Sequence, residues 1–335
     1  LIVLEETKKN KSGRAQFFFT DRYSVFDWGE MPDHIMHKGE SLCLSTAYFF
    51  EKLEEKGIKS HYLGLVEDKK VKRLEEIKKP LQTMEIKLLR VIKPKVIKEA
   101  YDYSVYKKER ENFLIPLELV YRNSLPEGSS VFRRLKEGSL QLKELGLDKM
   151  PIQNQPLKKP ILDVSTKLEQ KDRYLSWDEA KMIANLSEEE VEKIKQITLS
   201  VNEIITKEVR RLKLRHEDGK LEFGFDSTRS ILVADTLGTL DECRFTFKNL
   251  PVSKEIARIF YRKTDWYSDV EEAKRKKGIN WKLSVISNPP PLPKRLKELI
   301  SMVYRAYANE LTGRVWFEDT PDLKDILDEV RVFLD

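Results

Sequence analysis

Cysteine, histidine and long apolar runs are all scarce in this sequence of 335 residues. Only Cys43 and Cys243 are present, which excludes a disulfide framework and favours a reducing compartment, so we expect a cytoplasmic protein. No apolar run approaches the length of a membrane span, and the N-terminus lacks the pattern of a signal peptide, so no membrane partner is expected. A dominant charge is also missing: 62 basic and 56 acidic residues leave a net charge of +6, which suits anionic substrates and does not require nucleic acid.

The composition that remains is typical of a soluble globular protein with a highly charged surface, since 40% of residues are hydrophobic and 35% are charged. The length allows two domains or one large one, with ample core. Local patterns predict alternating strands and helices. The predicted strands are Leu1–Leu4, Gln16–Thr20, Ser60–Val66, Met84–Val91 and Leu117–Arg122, and the predicted helices are Leu42–Lys56, a long helix capped by Ser187 and Glu190, and a terminal helix Leu296–Leu311.

The most informative segment reads KLEFGFDSTRSILVAD and predicts two antiparallel strands joined by a polar four-residue turn. Pairing Phe225 with Ser230 would place Lys220, Glu222 and Asp235 on one face of the pair. Two carboxylates at that separation can hold one Mg²⁺, which prefers oxygen ligands. A register shift of one residue would break this arrangement. A solvated strand face with an ordinary Lys/Glu pair is the competing interpretation.

Five groups of short motifs follow one another along the chain. They are Thr20–Asp27 with Lys38-Gly39, Val120–Asn123 with Gly128-Ser129, Ser165–Glu169, Lys220–Gly224 with Asp235 and Asp241–Arg244, and Ala306–Gly313. The first group begins TDRYSVFD, the third reads STKLE and the fourth begins KLEFG. Together they resemble the SAICAR synthetase family (phosphoribosylaminoimidazole-succinocarboxamide synthase) of purine biosynthesis. The matches extend from about Phe17 to Trp316.

This resemblance implies a fold and a reaction. The implied fold is α+β and two-lobed, related to ATP-grasp and kinase-like architectures, with a small β-rich ATP-binding lobe over residues 1–92. A larger α/β lobe over residues 93–335 would hold the substrate and metal site and the C-terminal helices. The implied enzyme is an ATP-dependent C–N ligase that uses Mg²⁺. It phosphorylates the carboxylate of carboxyaminoimidazole ribonucleotide (CAIR), and the amine of L-aspartate attacks the acyl phosphate, giving SAICAR, ADP and phosphate.

The family motifs also imply roles for individual residues. The implied catalytic residues are Lys220, Glu222 and Asp235, with Glu222 and Asp235 as the metal ligands. The implied contacts to the substrates come from Arg122, Gly128, Ser129, Arg244 and Arg258 for the ribonucleotide and from Lys167 and Asp172 for aspartate. Asp21, Arg22 and Lys38 are the implied nucleotide contacts.

Each of these roles has a simpler alternative. Arg122 could be a salt-bridged strand residue, and Arg258 an exposed helical arginine. Lys167 and Asp172 could belong to a solvated loop. The motif of Asp21 could be a capped turn, with its polar side chains bonded to local backbone amides. Lys38-Gly39 precedes the predicted helix, where its amides would receive an anion or a capping side chain.

Several positions depart from the family pattern. Thr236 replaces the second acid of a D-E pair, and Lys171 replaces the histidine that normally precedes the counterpart of Asp172. All four histidines lie outside the motifs, which predicts that none is catalytic. The phosphate-binding loop of the family is expected upstream of Leu1. Extra length near residues 95–116, 136–156 and 267–293 predicts surface elaborations or contacts in a homo-oligomer.

Two other functions are open at this point. A family member with altered specificity would join a different carboxylate or amine, as the changes at Thr236 and Lys171 allow. A non-enzymatic basic binding protein would use the lysine- and arginine-rich runs at residues 69–73 and 274–277, although such runs are more often solvated helix faces. Offering aspartate against other amines with the same ribonucleotide separates a member of altered specificity from a SAICAR synthetase. Salt-sensitive nucleic-acid binding without ATP turnover would favour the basic binding protein.

Overall fold

The first sheet has five strands and is built from residues 2–88. The computed structural model describes residues 1–98, 100–126 and 128–334, except for the side chains of residues 277–279. The sheet is antiparallel, with the spatial order β1-β2-β5-β3-β4. Its strands are β1 (Ile2–Glu5), β2 (Gly13–Phe18), β3 (Tyr62–Glu67), β4 (Lys70–Lys72) and β5 (Thr83–Leu88).

Helix α1 (Lys38–Glu55) packs against this sheet and begins four residues before the predicted start. Its N-cap is His37, which has a left-handed backbone with φ of 62°. The Asp21 carboxylate accepts a hydrogen bond of 2.9 Å from the Gly39 amide, one of the free N–H groups of the first turn. The prediction that Lys38-Gly39 precedes the helix is therefore wrong: both residues lie in its first turn, and Asp21 caps them from outside.

The second sheet has seven antiparallel strands and carries most of the motifs. The path runs β10-β9-β8-β11-β13-β14, and β12 pairs with β11 beside it. A separate short hairpin, formed by β6 (Lys95–Ile97) and β7 (Ala100–Asp102), lies between the two sheets in the sequence. The strands of the second sheet are β8 (Phe113–Ser124), β9 (Pro156–Thr166), β10 (Tyr174–Leu175), β11 (Arg215–Phe225), β12 (Ile231–Ala234), β13 (Cys243–Phe247) and β14 (Leu250–Pro251).

The remaining helices lie in the part of the sequence that follows the first sheet. They are α2 (Ser130–Glu137), α3 (Trp177–Ala184), α4 (Glu188–Arg211), α5 (Glu255–Tyr261), α6 (Asp265–Lys277), α7 (Lys294–Thr312) and α8 (Leu323–Leu334), and short 3₁₀ segments lie at Ser104–Lys108, Leu142–Leu145 and Gly278–Ser284. The predicted capping box of α4 is confirmed, because Ser187 and Glu190 each accept a hydrogen bond from the other's backbone amide. Helix α7 is not terminal as predicted, since α8 packs against it.

Strand β12 connects the two sheets. The amide of His61 donates to the carbonyl of Val233 at 3.0 Å, and the amide of Val233 donates to the carbonyl of Lys59 at 2.9 Å. The largest hydrophobic core likewise contains buried residues from both sheets. The combination of antiparallel sheets and helices confirms the predicted α+β class. The division into two lobes at residue 92 stays a prediction. None of the described helices combines the length and the apolar character needed to cross a membrane.

The hairpin of β11 and β12 differs by one residue from the predicted register. Phe225 pairs with Ile231, so the loop has five residues and Glu222 lies opposite Ala234. The loop is longer because Asp226 closes it with its own side chain, which accepts hydrogen bonds from the amides of Thr228 and Ser230 at 2.8 Å each. The pairing that was expected to bring Asp235 onto the face of Glu222 is therefore absent.

Candidate active site

One face of the second sheet is polar over three neighbouring strands. In the ladder, Glu222 of β11 lies directly opposite Glu118 of β8, and Glu118 lies opposite Ser165 of β9. Directly opposed residues and residues two apart in one strand share a face. Lys220 and Lys167 therefore point to the same side as Glu222. This face collects charged groups that are far apart in the chain.

Two lysines and three glutamates form a cluster at the centre of this face. Lys167 donates to Glu222, and its Nζ lies 3.3 Å from Glu118. The Nζ of Lys220 lies 3.2 Å from Glu118, 3.4 Å from Glu242 and 3.8 Å from Glu222. Burial lowers the pKa of Lys220, but the carboxylates of Glu242 and Glu118 outweigh it and raise that pKa above its usual value. Burial likewise lowers the pKa of Lys167, but Glu222 and Glu118 raise it overall, so both ammonium groups stay charged at neutral pH.

Asp235 reaches this cluster by a route other than strand pairing. The last paired residue of β12 is Ala234, and Asp235 follows it with a left-handed backbone, φ 63°. Aspartate is one of the few residues that adopt this conformation readily. The turn brings the Asp235 carboxyl close enough to Glu222 to raise the pKa of that glutamate. The expected proximity of the two acids is thus present, although the expected register is not.

The carboxyl groups of Glu222 and Asp235 repel each other when both are ionised. Burial, followed by the nearby charge of Asp235, raises the pKa of Glu222 to about 8, even though Lys167 acts in the opposite direction. Within the described residues no group of three or more His, Cys, Asp or Glu side chains is arranged as a metal site. Two carboxylates are nevertheless a usual protein contribution to a Mg²⁺ site, which keeps waters and substrate phosphates as its other ligands. A divalent cation would relieve the repulsion in this pair, so Glu222 and Asp235 fit such an ion.

A chain of alternating arginines and aspartates continues along the sheet. Arg134 pairs with Asp163 at 2.8 Å, and Asp163 lies 3.2 Å from Arg122. Arg122 lies 3.4 Å from Asp218, which in turn accepts from Nε of Arg244 at 2.7 Å. The Arg122 side chain is 3% exposed, whereas the Arg244 side chain is 32% exposed. Arg122 is thus a salt-bridged strand residue, and Arg244 is the accessible end of this arginine–aspartate chain. A direct substrate contact for either arginine stays a prediction.

Gly128 and Ser129 lie where β8 leads into α2. The Ser129 hydroxyl caps α2 by accepting from the amide of Val131, and Gly128 has φ of 76° with open space around its missing Cβ. The next residue, Ser130, has its hydroxyl 3.3 Å from Arg122. A helix N-terminus beside an arginine favours anions. The geometry therefore suits the predicted phosphate contact, which is otherwise untested.

The predicted nucleotide contacts lie around the N-terminus of α1. Asp21 caps that helix, as described above, which favours the simpler interpretation of its motif. Lys38 is buried, with its Nζ 2.7 Å from Asp241 and over the ring of Tyr304. Arg22 is exposed and pairs with Glu30 at 3.2 Å. In this structure Lys38 orders an acid rather than presenting a free charge, and its contact with a nucleotide stays a prediction.

A cavity of about 330 Å³ lies beside these groups. Asp241 contributes to its wall, and the next residue, Glu242, contacts Lys220 of the cluster. The cavity therefore adjoins the carboxylate–lysine cluster. Its lining residues are Arg22, Tyr23, Ser24, Gly29, Glu30, Asp241 and Lys254.

The remaining predicted residues lie at the edges of this site. Arg258 of α5 pairs with Glu255 at 3.1 Å and faces the ring of Phe26, with 6.0 Å between the guanidinium carbon and the ring centre. Asp172 is exposed, and burial of part of its carboxyl together with the charge of Glu118 raises its pKa. Lys167 belongs to the cluster, so the solvated-loop interpretation is wrong for this residue.

Sequence reasoning missed five acids and bases of this face. The residues are Glu118, Arg134, Asp163, Asp218 and Glu242, all of which make the ion pairs described above. Glu118 had one local signal, since it alternates with apolar residues in the strand that precedes the Val120–Asn123 motif. Glu242 lies inside the Asp241–Arg244 motif but was given no role there, and Arg134, Asp163 and Asp218 become visible only when the fold is known.

Comparison with known proteins gives consistent results. A family model described as SAICAR synthetase matches residues 6–277. A protein of Archaeoglobus fulgidus, provisionally named a phosphoribosylaminoimidazole-succinocarboxamide synthase, is 50% identical over 335 residues, which is 100% of this chain and 98% of its own length. The phosphoribosylaminoimidazole-succinocarboxamide synthase of Thermoplasma acidophilum is 32% identical over 307 residues, which is 90% of this chain and 93% of its own.

Solved structures resemble the fold over nearly the whole chain. The SAICAR synthase of Saccharomyces cerevisiae, in complex with SAICAR, aligns with a TM-score of 0.61 at 20% identity and covers 94% of this chain and 96% of its own. The SAICAR synthetase of Pyrococcus horikoshii OT3 aligns with a TM-score of 0.57 at 20% identity and covers 96% of this chain and 99% of its own. At such identities the likeness concerns the fold.

Proposed function

The chain belongs to the SAICAR synthetase family, and from this premise we propose that the polar face of its second sheet is the active site of the family's ligase reaction. The protein is an ATP-dependent ligase of purine biosynthesis that joins L-aspartate to CAIR and releases SAICAR, ADP and phosphate. The observation that carries the assignment of the site is the Glu222–Asp235 pair beside Lys220 and Lys167. These four groups come from three separate strand regions and converge on one point.

The first half of the reaction moves a phosphoryl group from ATP to the carboxylate of CAIR. A carboxylate oxygen forms the new P–O bond, and ADP leaves with the electrons of the broken one. Phosphoryl transfer depends chiefly on positioning and on neutralising charge. Lys220 and Lys167 supply two fixed positive charges for the oxygens that gather there. Glu222 and Asp235 would hold Mg²⁺, which supplies further positive charge to the phosphates.

The second half forms the amide bond. The amine of L-aspartate attacks the acyl carbon, and phosphate leaves with the electrons of the broken C–O bond. Asp172 and Lys167 are the proposed contacts for aspartate. Asp172 lies near the lysine pair, within range of their charges. It would bind the ammonium group and accept a proton from it, which frees the lone pair of the amine for the attack, and a second proton is lost as the amide forms and phosphate leaves. Lys167 would face a carboxylate of the amino acid.

The ribonucleotide phosphate would bind at the accessible end of the arginine–aspartate chain. Arg244 presents its guanidinium there, and its planar fork suits phosphate oxygens. The N-terminus of α2, with Gly128 and Ser129, would supply backbone amides nearby. Arg122 would act through Asp218, which it holds in place for Arg244.

ATP would bind between this face and the N-terminal segment that carries Asp21, Arg22 and Lys38. Lys38 of that segment contacts Asp241, the residue before Glu242 of the cluster, and Arg22 is the exposed cation of the segment. We assign the nucleotide lobe to residues 1–92 and the substrate lobe to residues 93–335. The buried free thiols of Cys43 and Cys243 suit a reducing cytoplasm.

The altered-specificity and basic-protein alternatives are not favoured. Family membership extends over most of the chain, and the cluster retains the lysines and acids that the reaction needs. A direct test measures ADP release with CAIR and Mg²⁺ while L-aspartate is omitted or replaced by glutamate, asparagine or alanine. We expect release that requires aspartate. Equal release with another amine would instead establish a different ligase, and no release with any amine would refute the function.

A further inference from the structure

His61 lies at the junction of the two sheets and is held on every side. Its side chain is 3% exposed, and its ring packs edge-on against Phe17 and Phe50, with ring centres 5.6 and 5.4 Å away. Its amide donates to Val233 at 3.0 Å, and its carbonyl accepts from the amide of Lys87 at 2.7 Å. The ring therefore has one well-defined orientation, set by packing and by both neighbouring strands.

The Nε2 atom of this ring lies 2.9 Å from the carbonyl oxygen of Asp235. A carbonyl only accepts hydrogen bonds, so Nε2 carries the hydrogen and donates.

Asp235 needs such an anchor. Strand pairing between β11 and β12 stops at Ala234, so no ladder bond from β11 fixes the next residue. Asp235 also has φ of 63°, a left-handed conformation that aspartate tolerates but that no strand ladder maintains. The hydrogen bond from His61 holds the backbone of the turn that aims the Asp235 carboxyl at Glu222.

We propose that His61 is a positioning residue, which fixes the left-handed turn at Asp235 and thereby sets the geometry of the Glu222–Asp235 pair for a divalent cation. This inference rests on the proposed function only in taking that pair as the cation site. Groups that orient metal ligands commonly affect metal affinity although they do not touch the metal. None of the family motifs contains His61, so sequence reasoning had set it aside with the other histidines.

The test compares three variants by calorimetric titration with Mg²⁺·ADP in the absence of ribonucleotide. His61→Phe keeps the aromatic packing but removes the donor, and we expect the affinity to fall about 10- to 100-fold. His61→Gln places an amide N–H near the former Nε2, and we expect it to recover most of that loss. Ile194→Val, which deletes a buried methyl group in α4, is the control for a general loss of packing and should bind as the wild type does.

Two results would overturn the proposal. One is wild-type affinity in His61→Phe; the other is an equal loss in all three variants, which would mark a purely structural role. If His61→Phe does not fold, nitrogen NMR of the wild-type imidazole decides, because the proposal requires the hydrogen on Nε2 that the Asp235 carbonyl accepts, and a ring with its only hydrogen on Nδ1 contradicts it. Failure of the ligase function is distinguishable, since it would abolish aspartate-dependent turnover without changing these binding comparisons.

Discussion

Glu118 lies directly opposite Glu222 across strands β8 and β11, so two acidic side chains face each other on a mostly buried surface. Such a pair destabilises a sheet unless cations compensate it. Lys167 lies between them and contacts both, and Lys220 adds a second contact to Glu118. The strand pairing therefore gathers acids and lysines on the face that we assign to the active site.

We expect Glu118 to hold the side chains of Lys167 and Lys220 in position, since it contacts both. In Glu118→Gln each lysine loses an ionic partner and moves toward the remaining acids, so we predict a fall in kcat of about 10- to 100-fold. Steady-state kinetics at saturating substrate measure it. The matched control is Glu217→Gln, a buried glutamate of the neighbouring strand β11 that contacts Arg215, Ser124 and Thr246 instead. A loss of kcat in the control that equals the loss in Glu118→Gln would contradict the role of Glu118.

Glu222 should make stability depend on pH in the absence of divalent cations. Its folded pKa, about 8, lies above the ordinary value of 4.5, so the folded state holds the proton more tightly than the unfolded state. The stability that this proton confers is complete below the ordinary value and is lost as pH rises through the folded value. Glu222→Gln has no proton to lose there.

We therefore predict that the melting temperature of Glu222→Gln rises relative to the wild type between pH 5 and pH 8. Thermal unfolding followed by circular dichroism, with a chelator present, measures the difference. An offset between the two proteins that stays constant over this pH range would show that the carboxyl is not perturbed. Addition of Mg²⁺ should reduce the offset, because the ion stabilises only the wild type.

Arg134 tests the arginine–aspartate chain at its buried end. Arg134→Lys keeps the charge but loses the fork that grips Asp163, and the disturbance should pass through Arg122 and Asp218 to Arg244. We predict an increase of about tenfold in KM for the ribonucleotide, with little change in KM for ATP. Arg133→Lys is the control, since that neighbouring arginine is exposed and pairs only weakly with Glu137. Equal effects on both Michaelis constants would contradict the prediction.

Local sequence patterns predicted the elements that depend on neighbouring residues. The capping box of Ser187 and Glu190 and the strand that ends at Phe225 are both determined within a few residues, and both are present. The register of β12 was missed because Asp226 bonds its own loop, which adds a residue to the turn. Glu118 and Asp163 could not be assigned because their partners lie on strands whose order no local pattern encodes. His61 was missed for the same reason, since its value lies in a bond to Asp235, a residue distant in sequence.

The measurement that tests the account most directly is aspartate-dependent ADP release by the wild type and by Glu222→Gln, with CAIR, L-aspartate and Mg²⁺ at saturation. Loss of one cation ligand at the point of phosphoryl transfer should lower the rate about a thousandfold or more. The thermal unfolding of the same variant, described above, verifies that it is folded. A folded Glu222→Gln protein that releases ADP at the wild-type rate would contradict the placement of the active site on this face.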